Sequence, residues 1–254
     1  MKKFIAGLFL STSLLIAATG CSGEASQNEN ILIMGTNAAF PPFEYIQGTE
    51  VVGFDVDLAK LIADQLDMEL QIMDMEFNTL TGAVSNGIID IAVAGMTNTP
   101  ERRESVNFSD GYFSSKQMII VKNDSSIEST EDLAGQSIGV QLGTTGDQFI
   151  SSFAKDGTLQ NAEIIRFDKG ALAIADLLND TVDAVIIDEE PAKNFVAAQD
   201  NLQILEAPFI EEEYAIAIAK DNTELTDQIN SALASIKASG QYDEIFNKYF
   251  ESAE

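Results

Sequence analysis

The sequence predicts an α/β fold of two lobes, each a mainly parallel sheet flanked by helices, joined by a two-segment hinge. Three observations lead there. Short, continuous apolar runs alternate with helical apolar stripes along most of the chain, as buried parallel strands and their covering helices require. The pattern also repeats weakly: a helix ends at an Asn turn (Asn86-Gly87, Asn179-Asp180), an Asp follows (Asp90, Asp183), a buried strand runs, and a polar residue stands beside a proline-started helix. Finally, the strand and helices after Tyr214 suit a return to the first lobe, with crossings near Tyr112 to Ser115 and Glu212 to Tyr214. On this reading residues 31–113 and 214–254 make one lobe and 114–213 the other.

Taken in order, Ile31 to Gly35 is a strand that runs into a loop where Pro41 and Pro42 break regular structure and display Phe40 and Phe43. After a turn at Gln47-Gly48, Asp55 is expected to cap a helix carrying Val56, Leu58, Leu61, Ile62 and Leu66. Leu70 to Met73 is the next strand, and Phe77 leads a helix through Leu80 and Val84. Ile89 to Ala94 reads as a strand buried on both faces, after which Thr99 is expected to cap a helix whose first residue is Pro100. Tyr112 to Val121 is a long strand, and a second set begins at Ser137 to Val140. The loop Gln141-Leu142-Gly143-Thr144-Thr145-Gly146 enters a helix with Phe149, Ile150 and Phe153, a ready anion site. It lacks a P-loop lysine and the dinucleotide glycine spacing, so a nucleotide phosphate is not indicated. Ile164 to Phe167, Ala171 to Leu178 and Val182 to Ile187 continue the alternation, and Asp188 stands at the last strand's end. The final helices carry Leu225, Ile229, Leu233 and Ile236, then Tyr242, Ile245, Phe246, Tyr249 and Phe250, with Gly240 between them.

Composition narrows the function. The 254 residues include 41 acidic and 14 basic side chains, for a net charge of −27 and no basic cluster. Nucleic acid and anionic membrane surfaces are poor partners for such a chain. It contains no His, so the usual general base and the commonest metal ligand are missing. No metal or cofactor is expected. Lys2 and Lys3 precede an apolar run from Phe4 to Ala18, too short to span a membrane well, which reads as a signal peptide over residues 1–20. Ala18-Thr19-Gly20-Cys21 resembles a bacterial lipobox, which implies that Cys21, the sole cysteine, carries lipid, palmitate among its acyl groups. Residues 21–30 then form a small, polar tether.

Two charges stand out. Arg102 sits in the first turn of a helix, where a cation opposes the helix dipole; it either pairs with Glu101 or Glu104 or holds an anion at the carboxyl end of a buried strand. Asp188 ends the corresponding strand of the second lobe and needs a cation, with no basic residue close in sequence.

With these residues in view, the chain resembles the family 3 solute-binding proteins, the amino-acid receptors of ABC importers. The likeness runs from about Ile31 to Phe250. It is carried by Phe40-Pro41-Pro42-Phe43-Glu44, Val52-Gly53-Phe54-Asp55-Val56-Asp57-Leu58, Gly95-Met96-Thr97-Asn98-Thr99-Pro100-Glu101-Arg102, Asn107-Phe108-Ser109-Asp110-Gly111-Tyr112-Phe113, Ile138-Gly139-Val140-Gln141 and Asp183-Ala184-Val185-Ile186-Ile187-Asp188. The resemblance implies the periplasmic-binding-protein fold and an exported monomer, lipid-anchored on the outer face of the cell membrane, that hands a free L-amino acid to importer membrane subunits. It also implies that Arg102 takes the α-carboxylate, helped by Thr97, the Gly95 amide and the Thr144-Thr145 loop. Asp188 takes the α-ammonium with the backbone at Gly95 and Met96, and Phe40 and Phe77 sandwich the side chain. Asn37 stands where receptors for basic amino acids often carry aspartate, and Gln141 adds a second neutral group, so a polar, uncharged ligand is at least as plausible as a basic one. The alternative is an enzyme, since some members act as cyclohexadienyl or arogenate dehydratases. Those need a general acid, and the sequence offers no His and no evident buried carboxyl besides Asp188.

Overall fold

A computed structural model describes residues 30–206 and 209–251; the signal peptide, Cys21 and most of the tether lie outside them. The chain opens with β1 (Ile31–Thr36), the short strands β2 (Ala39–Phe40), β3 (Glu44–Gln47) and β4 (Glu50–Val52), and α1 (Phe54–Gln65). It continues through β5 (Glu69–Asp74), α2 (Phe77–Ser85), β6 (Ile91–Ala92) and β7 (Val106–Phe108). The strand β8 (Phe113–Lys122) crosses into a second sheet built with β9 (Ser137–Gln141), α3 (Thr145–Asp156), β10 (Glu163–Phe167), α4 (Gly170–Leu178), β11 (Ala184–Asp188), α5 (Glu189–Ala197), β12 (Leu202–Ile204) and β13 (Ile210–Tyr214). Then β14 (Ala217–Ala219) rejoins the first sheet, and α6 (Thr223–Ser239) and α7 (Gln241–Phe250) close the chain.

The two sheets share one wiring. Their orders are β5-β1-β6-β14-β7 and β10-β9-β11-β8-β12, with β13 also on β8. Each has three parallel strands in the order second, first, third, and then a crossing strand that adds antiparallel pairs. The same carboxylate pins each centre: Asp90 accepts the Ile33 amide and Asp183 the Ser137 amide, both at 2.8 Å. That is what the repeated Asp after each Asn turn does.

The crossings lie side by side. Tyr214 pairs with Phe113 in the β13–β8 ladder, their rings stacked at 5.8 Å. Phe43, Phe54, Phe246 and Phe250 surround them. The last helix therefore packs its aromatic face on the junction.

Two expected helix starts differ. Asp55 does not cap α1, which begins at Phe54 with Gly53 before it; Asp55 lies wholly buried inside the first turn. Gly53 has φ 138°, and a Cβ there would come within 2.0 Å of the Phe43 carbonyl oxygen. The helix expected from Pro100 is a single 3-10 turn, Arg102–Glu104, because the chain must enter β7 at Val106. Its N-cap position is Glu101, not Thr99, although the Thr99 hydroxyl accepts the Arg102 amide at 3.2 Å.

Candidate functional site

Between the two sheets lies a cavity lined by Asn37, Phe40, Glu44, Phe77, Ala94, Gly95, Thr97, Arg102, Gln141, Thr144, Thr145 and Asp188. Ten of the eleven residues expected at a ligand site are among them. Met96 is not. It is 1% exposed, its sulfur stands 4.0 Å from the Thr81 hydroxyl, and it packs in the core beneath the loop.

Arg102 is 6% exposed, yet among the described residues no carboxylate lies within salt-bridge distance of it, so Glu101 and Glu104 are not its partners. Two carbonyls hold it: Nη1 donates to Thr97 O at 2.7 Å and Nη2 to Gly143 O at 3.0 Å. The guanidinium carbon also sits 5.2 Å from the centre of the Phe77 ring. Burial lowers its pKa to about 10, against the opposing pull of Glu212 and Asp188, so it remains charged near neutral pH. Gly143 comes from the second lobe, with φ +80°, and a Cβ on it would meet Asn78 of α2 at 3.1 Å. The left-handed backbone and the tight approach both favour glycine here.

Around Gly143 the loop caps its own helix. The Thr144 hydroxyl accepts the Asp147 amide at 3.2 Å, and Asp147 accepts the Gly143 amide at 3.1 Å. Arg166 braces Asp147 at 2.9 Å. Thr145 is buried and accepts from Gln117 at 3.1 Å.

Asp188 is 5% exposed and meets no cation among the described residues. The Tyr214 hydroxyl donates to its Oδ1 and lies 3.1 Å from the Ser115 hydroxyl. Glu212 stands beside it, accepting from Thr97 Oγ1 at 3.0 Å and Gln117 Nε2 at 2.7 Å. Burial first, and then the neighbouring Glu212, push the Asp188 pKa well above the usual carboxylate range. A cation delivered between these oxygens would restore the charge.

The Gly95 amide is not free to hold a carboxylate, as the sequence led us to expect. It donates to Asp55 Oδ2 at 2.8 Å, beside the Tyr112 hydroxyl at 2.7 Å. Gly95 has φ +54°, and a Cβ there would touch the Phe40 ring at 3.0 Å, so the loop depends on glycine. Asn37 and Gln141 also differ from expectation in what they offer. Gln141 Nε2 donates to Asn37 Oδ1 at 3.0 Å across the cleft, and Asn37 Nδ2 is spent on Met75 O at 2.9 Å.

Sequence reasoning missed Glu44. It ends the run Phe40-Pro41-Pro42-Phe43-Glu44, and its position directly opposite Phe40 in the β2–β3 pair puts it beside an expected cavity wall. Glu44 and Asp55 are 1% and 0% exposed, so the premise that Asp188 is the sole buried carboxyl here does not hold. Glu212, in the acidic run before Tyr214, was likewise passed over.

The sequence profile of the bacterial extracellular solute-binding proteins, family 3, matches residues 32–252. The chain belongs to this family. It is 36% identical to the arginine-binding extracellular protein ArtP of Bacillus subtilis (strain 168), over 98% of each chain. An ancestral arginine-binding protein solved with arginine is 40% identical, covers 87% of this chain and 98% of its own, and superposes with a TM-score of 0.83. The same kind of ancestral protein solved with glutamine is 39% identical over 88% and 99%, with a TM-score of 0.82. These relatives are named as binding proteins rather than enzymes, and this family 3 chain is a solute-binding protein.

Proposed function

We propose that this exported protein is the receptor of an amino-acid ABC importer and that it holds a free L-amino acid with a polar side chain between its lobes. One observation supports this most: a buried cation and a buried carboxyl, neither with an ion-pair partner among the described residues, line one cavity, with Phe40 and Phe77 beside them. A zwitterion completes both. Arg102 takes the α-carboxylate with Thr97 and the Thr144-Thr145 loop, and Asp188 takes the α-ammonium. Each such charge-assisted hydrogen bond contributes roughly 1.5–3 kcal/mol, enough together for about micromolar binding after ordering costs.

Segments 31–113 with 214–254 and 114–213 act as lobes turning about the stacked crossings at Phe113 and Tyr214. The ligand favours the closed form because only there do Gly143 and Asp188 face the first lobe's residues. Arginine and glutamine, seen in similar proteins, are the first ligands to try. Monomeric protein is expected, held at the membrane through lipid on Cys21; Cys21→Ser should release it into the medium, and unchanged retention would refute the anchor.

A thermal-shift series over the twenty L-amino acids tests the receptor reading. A rise in melting temperature with an L-amino acid, absent with its methyl ester, supports it. No rise with any of them overturns it.

A further inference from the structure

Glu44 is the one charged-type cavity residue to which the receptor reading gives no task. It is 1% exposed, lies opposite Phe40 and lines the cavity. Its Oε2 is fully buried and receives no amide or hydroxyl donor among the described residues; the partner of this carboxyl is Asp55, with which it shares a hydrogen bond. An acid that spends its O–H on a neighbouring carboxylate still offers an oxygen lone pair to something that enters the cavity. The amides near it have partners already: Gln141 Nε2 bonds Asn37 Oδ1 and Asp168 O, and Asn37 Nδ2 bonds Met75 O. The matching group on a ligand is an N–H donor.

We propose that Glu44 reads the charge of the ligand's side chain, keeping its proton when an amide or urea N–H reaches it and losing that proton when a guanidinium does. This rests on the receptor reading and deepens it.

The surroundings of Glu44 make the choice possible. On α1 stands Asp55, which receives the Gly95 amide and the Tyr112 hydroxyl and so keeps its charge more readily than Glu44 does. On β11 stands Asp188 with Glu212 behind it, and across the cavity Arg102 is committed to two carbonyls. Burial, then the charge of Asp55 and the hydrogen bond shared with it, and after these the charge of Asp188, raise the Glu44 pKa well above its ordinary value. Glu44 therefore holds a proton, donated toward Asp55, before a cation arrives. When a guanidinium settles against the Glu44 carboxyl, the O–H bond of Glu44 breaks, its electron pair stays on the carboxylate, and the proton passes to bulk buffer. The ligand's positive charge replaces it. An amide brings no charge, so the acid stays protonated and accepts through its carbonyl oxygen. The residue thus lets one cavity take a cationic or a neutral side chain of similar length.

L-Arginine and L-citrulline differ by this charge alone at nearly equal shape. Both present the same α-ammonium to Asp188, so any proton lost there cancels in the comparison. Titration calorimetry in phosphate and in Tris at one pH counts the protons released on binding. Arginine should release about one more proton than citrulline, and its affinity should steepen by about tenfold per pH unit relative to citrulline below the Glu44 pKa. In Glu44→Gln that excess should vanish and the preference for arginine over citrulline should fall at least tenfold. Equal proton release by the two ligands in the wild-type protein overturns the inference, whether or not the variant folds. Arginine failing to bind while another amino acid binds also overturns it and leaves the receptor reading standing. Failure of every amino acid to bind removes both.

Discussion

Arg102 and Asp188 occupy corresponding places in two like-wired lobes, yet the fold treats their charges oppositely. Both are more than nine-tenths buried, and neither has an ion-pair partner among the described residues. The guanidinium keeps its charge, since even a pKa lowered to about 10 leaves it protonated at neutral pH. Two fixed carbonyls then solvate it. The carboxyl can instead shed its charge by taking a proton, and Glu212 at its side encourages that. A buried cation of high pKa is thus a permanent feature of a cleft, whereas a buried acid is a conditional one.

Removing the permanent charge should have the largest effect. Arg102→Ala is expected to weaken amino-acid binding by about 3–5 kcal/mol, beyond detection in ordinary calorimetry, while circular dichroism stays native. Arg102→Lys should recover little, because an ammonium cannot reach both Thr97 and Gly143 carbonyls and a carboxylate with a planar fork. Affinity within a few-fold of wild type would show that the two lobe ends are not a matched pair.

Asp188→Asn is the next test. It preserves an acceptor for the Tyr214 hydroxyl but removes the charge, and should cost about 1.5–3 kcal/mol of ligand affinity. The free protein should tolerate the change or gain stability, since a buried acid is replaced by a neutral amide. A melting temperature that drops by many degrees would contradict the conditional-charge picture.

The same picture fixes a sign for pH. Asp55 has its pKa raised by burial from 3.8 to about 6, and Glu44 is raised as well. Between pH 4 and 6 the folded protein therefore holds protons that the unfolded chain has released, so stability falls as pH rises through this window. Asp57, lowered by Lys248 and Tyr249 against its burial, loses its contribution only below that window. The ligand-free protein should melt higher at pH 5 than at pH 7, by about 2–4 °C for each kcal/mol involved. Scanning calorimetry across that range settles the sign.

Asn37→Asp should give the smallest change in selectivity. An aspartate in place of that asparagine would present an oxygen to the Met75 carbonyl where Nδ2 now donates at 2.9 Å, so its main effect should be a loss of about 1–3 kcal/mol in stability. The ratio of glutamine to arginine affinities should shift by less than in Glu44→Gln. A large shift toward arginine would restore Asn37 as the reader of the side chain.

Most of the fold was legible because it rests on local signals. Apolar runs placed the buried strands, Gly240 with φ +84° ended α6 as expected, and Asn222 caps that helix through the Leu225 amide. The site was legible where position suggests function, as for Asp188 at the end of β11 and Arg102 in the turn that leads into β7. It was not legible where tertiary partners decide the role. Asp55 looks like a helix cap, and only the distant Gly95 and Tyr112 reveal it as a strut for the Gly95 loop. Met96 sits in the motif but turns into the core, and Asn37 loses its expected freedom to a glutamine 104 positions away. Glu44 carries no local sign of its burial, which the tertiary fold alone creates.

The chain has no histidine, and this changes what can be observed at Asp55. In most proteins a carboxyl displaced to about 6 titrates under the signals of imidazoles. Here no ring shares that interval, so carbon-13 or infrared carboxyl bands recorded between pH 5 and 7 would report the buried acids directly. The protein carries its own proton gauge beneath the cavity.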